Sequence, residues 1–481
     1  MNRRMIINSV GLVLRVEAAL LLLPAAVGML YGEKQTLIAF LISAAISLLL
    51  GLLPKLFLKP KTHVIYAKEG FIIVAFTWIM LSLVGAVPLV LAGAVTSYAD
   101  AFFEIVSGFT TTGSSVIPDV EVLSHGALFW RSFTHWVGGM GIIVFVMAIL
   151  PNVSERPIHI LRAEIPGPTV GKLVPRIKDT ALILYLIYIV MTVIETVMLL
   201  FGGMSFFESL LHTFGTAGTG GFGIKTDSMT SYSPYLQTVT TVFMLLFGVN
   251  FTCYYLLMIG QVSAALRDEE LRVYAGTFAV ATLLITLNVK ELVGGFFPAL
   301  HHAAFQVASI MTTTGFATTD FSLWPSFSKA ILVLLMFTGA MAGSTGGGLK
   351  FARVLLLFKS AGRSIRKVLN PQSVRTVRVN RKAVEEKTVD GTATYFILYI
   401  GLLLGSFLLL SLDGFSFETN FTAVLSCLNN IGPGLDAVGP AANYAGYGIL
   451  SKLVLSFDML AGRLELFPIL VLFSTKAWKR A

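Results

Sequence analysis

Ten apolar segments divide the sequence, and each is long enough to cross a lipid bilayer as a helix, which takes about 20 residues. The chain is 55% apolar and only 13% charged, whereas a soluble domain needs about 25% charged residues. The sequence therefore predicts a polytopic membrane protein and excludes a soluble enzyme, a disordered regulator and a secreted disulfide scaffold. The predicted spans are roughly 9–31, 36–53, 70–92, 126–150, 180–202, 235–260, 272–288, 328–357, 391–412 and 446–473.

Basic residues alternate from one predicted loop to the next. Lys and Arg are frequent after the second, fourth, sixth and eighth spans and at the chain end, and they are rare in the loops between. Cytoplasmic loops carry the excess of Lys and Arg, so both termini are predicted to be cytoplasmic. The net charge of +9 then separates into a basic inner face, suited to anionic lipid and a cytosolic partner, and an acidic outer mouth that attracts cations.

The poorly basic loops share an unusual pattern. Each holds an apolar piece too short to span the membrane, followed by a polar segment rich in Gly and Thr, and the pattern recurs about every hundred residues. We call these polar segments loop 1 (Thr110–Ser114), loop 2 (Thr216–Phe222), loop 3 (Thr312–Phe316) and loop 4 (Asn429–Gly434). The pattern predicts four repeats of helix, half-helix, loop and helix, preceded by two extra helices. The predicted boundaries are 1–68 for the N-terminal extension, then 69–150, 151–271, 272–387 and 388–481.

Non-helical backbone at membrane depth is tolerated only where it is buried in protein or lines a water-filled cavity. Four such loops can converge on one axis, where their carbonyl groups replace the water around a dehydrated cation. Glycine allows successive carbonyls to point the same way, and the half-helices aim their partly negative ends at the cavity. One such loop alone is an ordinary turn; four in register indicate a path for cations.

Two further features suggest gating. The eighth span is interrupted by five glycines within residues 339–348, which favours a flexible intramembrane segment over a packing kink. Arg463 lies in the last span, where it either pairs with Glu465 or Asp458 or raises a barrier under the loops. Arg15, Glu17 and Glu195 are further charges within predicted spans, and they lie outside any loop motif.

Together these motifs resemble the Trk/Ktr/HKT superfamily of potassium transporters, and the bacterial Trk branch in particular. The resemblance covers nearly the whole chain and includes the two extra N-terminal spans. It is carried by the four loops together with Arg131–Gly141, Ala342–Lys350, Asn429–Leu435 and Gly462–Leu466.

The resemblance implies an all-α membrane protein whose four repeats surround one pore with pseudo-fourfold symmetry. It implies uptake of K⁺, with Rb⁺ also permeating, in the bacterial inner membrane. It also implies a homodimer and a cytosolic ring of regulatory subunits that bind nucleotide, while this chain itself carries no cofactor and binds no nucleic acid. The implied filter ligands are Thr111, Thr112, Gly113, Thr219, Gly220, Gly221, Thr313, Thr314, Gly315, Asn430, Ile431 and Gly432. The implied gate comprises Gly343, Ser344, Thr345, Gly346, Gly347, Gly348 and Arg463.

Some residues depart from the family pattern. Loop 4 has Asn430 and Ile431 where loops 1 and 3 have two threonines, and loop 2 has Gly220 where the others have Thr or Ile. Asp436, just beyond loop 4, adds an acid for which we assign no role.

The sequence can be compared with two alternative functions. A K⁺ symporter coupled to Na⁺ or H⁺ would need intramembrane acids on the pathway, and Glu195 and Asp458 are the candidates. A membrane-embedded enzyme would need a catalytic constellation, but the histidines are scattered, so the sequence predicts that the chain is not an enzyme.

Overall fold

The computed structural model describes residues 3–58, 67–139, 141, 177–372 and 375–474, and these residues are mainly helical. Helix Arg3–Leu20 continues past Leu21 into Leu22–Leu30, and Lys34–Phe57 packs back against it. The two backbones approach closely, since a Cβ on Gly51 would lie 2.7 Å from the carbonyl oxygen of Gly11. This helical pair packs on the first of the four repeats.

Each repeat contains a first helix, a half-helix and a last helix. The first helices are Ala67–Leu91, Ile177–Phe201, Glu269–Val289 and Glu386–Leu410. The half-helices are Tyr98–Phe109, Phe206–Gly218, Phe296–Met311 and Phe417–Leu428. The last helices are His125–Gly139, Pro234–Phe247, Ser326–Thr338 and Ile449–Arg463. In the described residues, further helices follow three of the last helices, at Phe251–Met258, Val262–Leu266, Phe351–Leu369 and Phe467–Leu472. Three 3₁₀ turns of the described residues lie at Phe321–Leu323, Ser411–Asp413 and Asp436–Val438.

Six helices in the described residues are long and apolar enough to cross a membrane, or seven if one bent pair counts as a span. They correspond to the first, second, third, fifth, seventh and ninth predicted spans. Their residues are Arg3–Leu30, Lys34–Phe57, Glu69–Leu91, Leu182–Phe201, Glu269–Val289 and Glu386–Asp413. The fourth, sixth, eighth and tenth predicted spans overlap the last helices of the four repeats, and positions 140 and 142–150 of the fourth lie outside the described residues.

The prediction of continuous helices over 235–260 and 446–473 is wrong. The chain bends by 90° between Phe247 and Phe251, and the Asn250 side chain caps the new helix by accepting from the Thr252 N–H at 2.9 Å. In the last repeat, Glu465 and Leu466 have φ of 64° and 56°, which ends the helix. Hydropathy does not report such breaks, because residues on both sides of each break are apolar.

The half-helices lie at the centre of the protein. Half-helix 2 starts with a capping box, in which Ser205 accepts from the Glu208 N–H and Glu208 accepts from the Ser205 N–H. Its residues from Leu211 to Gly218 are all buried, whereas the first helices expose large apolar side chains such as Leu186 and Leu404. This distribution suits a bundle whose outer surface faces lipid and whose centre is packed.

The segments predicted to be cytoplasmic are described only in part. The basic stretch after the eighth predicted span contains the only β-strands of the described residues, a hairpin pairing Arg378–Val379 with Lys382–Ala383. The predicted basic positions at 59–66, 142–176 and 475–481 lie outside the described residues.

Candidate ion pathway

Each half-helix ends in the same turn. The residue after the helix cap has a left-handed φ, which is 55° at Thr111, 55° at Thr219, 59° at Thr313 and 56° at Asn430. In loop 1 the Thr111 N–H donates to the Gly108 carbonyl at 3.1 Å and the Thr112 N–H donates to the Ser107 carbonyl at 2.8 Å. This is a Schellman motif. The corresponding second bond recurs at Gly220–Gly215 (2.8 Å), Thr314–Ser309 (2.8 Å) and Ile431–Ser426 (3.0 Å).

The left-handed positions are costly ones for the residues that occupy them. Thr is β-branched and rarely adopts this conformation, so three of the four loops hold a strained residue, as functional sites often do. Asn tolerates the left-handed region better. Asn430 therefore departs from the threonine pattern in chemistry but keeps the same backbone path.

Glycines close the four loops into a ring. The glycine two residues after each left-handed residue also has positive φ: 84° at Gly113, 73° at Gly221, 87° at Gly315 and 106° at Gly432. A Cβ on Gly113 would meet the Gly220 carbonyl oxygen, one on Gly221 that of Thr314, one on Gly315 that of Ile431, and one on Gly432 that of Thr112. Loop 1 thus abuts loop 2, loop 2 abuts loop 3, loop 3 abuts loop 4, and loop 4 abuts loop 1. The twelve residues predicted as filter ligands are brought together in this ring.

Side-chain hydrogen bonds stabilise the ring. The Thr110 and Thr112 hydroxyls lie 2.8 Å apart, and so do those of Thr312 and Thr314. The Asn430 amide donates to the Thr112 hydroxyl at 3.0 Å and to the Met459 carbonyl at 2.9 Å. Asn430 therefore ties loop 4 both to loop 1 and to the last helix of its own repeat.

An open cavity of about 120 Å³ lies on one side of the ring, and glycines of all four loops line it. Its lining includes two charged side chains, Arg131 and Lys225. The carboxylates predicted for the acidic outer mouth lie further out, with Asp119 and Glu121 accepting from the Thr226 hydroxyl and N–H at 3.2 and 3.1 Å.

On the other side of the ring lies the segment between Thr338 and Phe351, which we call the intramembrane segment (residues 339–350). The Gly347 N–H donates to the Thr313 hydroxyl at 2.6 Å, and the Thr345 hydroxyl donates to the Phe247 carbonyl at 3.2 Å. A Cβ on Gly346 would lie 2.9 Å from the Thr312 carbonyl oxygen. The segment therefore packs directly against loops 3 and 4 and against the bend in repeat 2.

Arg463 joins this segment to the first repeat. Its guanidinium donates to the Thr345 carbonyl and to the Gly138 carbonyl, both at 2.7 Å. Glu465 forms an ion pair with Arg353, and Asp458 accepts from the Ser406 hydroxyl at 2.8 Å. All seven predicted gate residues are thus gathered on the same side of the ring.

The family model for TrkH, described as a cation transport protein, matches residues 36–480. The chain is 35% identical to the Trk system potassium uptake protein TrkH of Salmonella typhimurium and 34% identical to that of Escherichia coli K12, over 100% of each chain. It is also 31% identical to the Trk system potassium uptake protein TrkG of Escherichia coli K12, over 99% of both. The chain belongs to the TrkH family. Membership confirms that it is a transport protein of the membrane and not an enzyme.

The crystal structure of the potassium transporter TrkH from Vibrio parahaemolyticus matches this TrkH-family fold with a TM-score of 0.90 and 34% identity, covering 100% of both chains. The predicted all-α fold, with four repeats around one axis and two extra N-terminal helices, is thereby confirmed.

Sequence reasoning missed Glu270, although in this TrkH-family protein it contacts both the intramembrane segment and the first turn of the helix that follows the segment. Its carboxylate accepts from the Ala342 N–H at 2.7 Å and from the Ala352 N–H at 3.0 Å. It lies at the start of a span, where an acid looks like an ordinary helix-terminal residue, so the sequence carries little signal for it.

A second missed feature is a buried ion pair behind loop 1. Arg131 and Glu104 lie 2.7 Å apart with side chains 2% and 0% exposed. Glu104 also accepts from the Val116 N–H at 2.9 Å, and the Arg131 guanidinium lies 4.2 Å from the centre of the ring of Phe222, the last residue of loop 2. The sequence signal for this ion pair is the presence of two oppositely charged residues within apolar segments.

The charges without an assigned role lie away from the ring lining. Arg15 donates to the Gly11 carbonyl at 3.2 Å, and Glu17 accepts from the Ser47 hydroxyl at 3.1 Å within the N-terminal pair. Glu195 is fully buried in the first helix of repeat 2. Asp436 accepts from the Ser416 and Thr419 hydroxyls, both at 2.6 Å, and these bonds lower the pKa of its carboxyl.

Proposed function

We propose that this protein takes up K⁺, with Rb⁺ also permeating, through the ring of loops 1 to 4. The observation that carries the proposal is the fourfold repetition of one strained turn and one glycine contact, which closes the loops around a single axis. A ring of backbone oxygens replaces the hydration shell of a cation without placing a charge in the path. The relatives of this chain named as potassium uptake proteins support K⁺ as the ion.

In this proposal the ligands are the residues at three successive positions of each loop. The left-handed residue, the residue after it and the positive-φ glycine give three oxygen layers. In loop 4 the layers come from Asn430, Ile431 and Gly432. Because Asn430 keeps the backbone path, its different side chain does not interrupt the ring of carbonyls. We therefore expect loop 4 to contribute to K⁺ selectivity as the other loops do.

The intramembrane segment and Arg463 are the proposed gate. The segment packs against the ends of loops 3 and 4, and Arg463 holds it to the far side of the ring through the Gly138 carbonyl. A guanidinium under a cation path adds an electrostatic barrier, and movement of the segment would lower it. The helix Phe351–Leu369 begins where the segment ends, so a force on this helix reaches the gate directly.

The proposed assembly is a homodimer in the bacterial inner membrane with both termini in the cytoplasm. A cytosolic ring of nucleotide-binding subunits would control the segment from the inner side. The relatives are named as proteins of a Trk system, which supports a regulatory partner for this chain. The alternation of basic and poorly basic loops supports the cytoplasmic position of both termini.

Purified protein in liposomes is expected to carry K⁺ or Rb⁺ down a concentration gradient without Na⁺ and without a pH gradient. Fluxes of ⁸⁶Rb⁺ with K⁺, Na⁺ or choline outside measure selectivity, and protein-free liposomes are the control. Equal Na⁺ and K⁺ flux would contradict the filter. Uptake that needs a Na⁺ or pH gradient would instead favour the coupled symporter.

Replacing Glu270 by Ala is expected to raise basal Rb⁺ leak about threefold, because the intramembrane segment and the start of the helix after it each lose a charge-assisted hydrogen bond. The matched control is Glu291→Ala, which removes an exposed carboxylate just beyond the other end of the same helix and leaves both contacts of Glu270 in place. Equal leak in the two variants would show that Glu270 does not restrain the gate.

A further inference from the structure

The cavity outside the ring carries positive rather than negative charge in its lining. Arg131 is buried and neutralised by Glu104, which leaves Lys225 as the other charged residue of the lining. Lys225 is only partly buried. In the part of the chain that the structure describes, its ammonium group forms no ion pair.

The ammonium group of Lys225 is held in place. It donates to the Ser231 hydroxyl at 3.0 Å and lies 4.2 Å from the centre of the Tyr232 ring. The Tyr232 hydroxyl in turn bonds to the His212 imidazole at 3.0 Å. Because His212 belongs to half-helix 2, these contacts hold the Lys225 ammonium group at a defined position relative to loop 2.

Carboxylates lie next to this lysine on the rim. Thr226 bonds to both Asp119 and Glu121, and Asp227 accepts from Ser231 at 3.4 Å. The rim acids attract cations to the mouth, and a fixed ammonium group inside the mouth opposes them. The balance between the two determines the cation concentration that the ring meets.

We propose that Lys225 is a positioned cation that lowers the occupancy of the outer mouth and thereby sets the apparent affinity for external K⁺. The inference rests on the proposed pathway through the ring, because only then does the cavity lie on the route of the ion. A unit charge about 10 Å from an ion, at an effective dielectric constant of about 50 between those of water and of the protein surface, changes the local ion concentration by roughly threefold.

The test compares ⁸⁶Rb⁺ uptake into liposomes at Rb⁺ concentrations well below saturation. Lys225→Gln and Lys225→Met are expected to raise the rate about threefold at low ionic strength, and the gain should vanish when impermeant choline chloride screens the charge. Lys225→Arg is expected to restore the low-salt rate of the parent protein. Lys290→Gln is the matched control, because it removes the same charge from an exposed position outside the cavity lining.

The rate at saturating Rb⁺, normalised to reconstituted protein, separates an altered affinity from an altered amount of active protein. Equal low-salt rates in the parent and both neutral variants would overturn the inference, and so would a gain that survives high ionic strength. If Lys225→Arg changes the rate as the neutral variants do, packing against Tyr232 and not charge is responsible. Failure of the proposed function is a different result, in which the parent protein carries no Rb⁺ in any condition.

Discussion

Gly315→Ala is expected to abolish K⁺-selective uptake, with a fall in K⁺ flux of at least tenfold. Gly315 has φ of 87°, and a new Cβ would meet the Ile431 carbonyl oxygen and lie 3.0 Å from Cδ of Pro433. The left-handed backbone alone costs a residue with a side chain about 1–3 kcal/mol, and the collision displaces an oxygen of the proposed filter. The measurement is ⁸⁶Rb⁺ uptake in competition with K⁺ and Na⁺.

The matched control for this prediction is Gly276→Ala in the first helix of the same repeat. No atom lies within 4 Å of a Cβ built on Gly276, and alanine favours a helix over glycine by about 1 kcal/mol. The control should therefore keep parental flux and selectivity. If the purified Gly315 variant is correctly folded and still prefers K⁺ over Na⁺ as strongly as the parent, loop 3 is not part of the filter.

Arg463→Ala is expected to raise K⁺ flux about tenfold in liposomes without the regulatory partner. The substitution removes the guanidinium charge beneath the ring and both carbonyl contacts, to Thr345 and to Gly138. Hydrogen bonds from charged donors are worth roughly 1.5–3 kcal/mol each, so their loss shifts the intramembrane segment toward conformations that leave the path open. Flux per reconstituted protein is the measurement.

A second variant identifies the cause of the increase. Deleting 343–348 shortens the segment and leaves Arg463 in place, and we expect it to raise leak as well. Combining it with Arg463→Ala should add little, because both changes remove the same barrier. Unchanged or lower flux in well-folded Arg463→Ala protein would count against the gate, and so would full additivity of the two variants.

Much of the architecture could be predicted because it depends on local composition. Apolar length reveals the first helices, and the Thr-Gly pattern reveals four equivalent loops. The glycines of those loops were predicted to serve backbone conformation, and one glycine in each loop has positive φ, namely Gly113, Gly221, Gly315 and Gly432. The breaks in the last helices were harder, since Gly248 and Leu466 stand in apolar surroundings that read as continuous spans.

The contacts of individual side chains were mostly beyond prediction. Glu465, a candidate partner for Arg463 from sequence, pairs with Arg353 instead. The sequence predicts an acidic outer mouth, yet Lys225 lines the cavity at the ring. Glu270 gave little signal. Each of these side-chain contacts joins residues that are far apart in sequence or depends on the orientation of a turn.

The sequence by itself determined the membrane environment, the four repeats and the conformational demands of their loops, because hydropathy and allowed φ values are properties of short segments. Only the tertiary structure decided that the loops close into a ring and that Arg463 reaches Gly138, 325 residues away. It also decided which charges face the cavity. The physical reason is that close approach of backbones and pairing of distant polar groups arise from packing whole helices against one another, and no local pattern encodes the resulting distances.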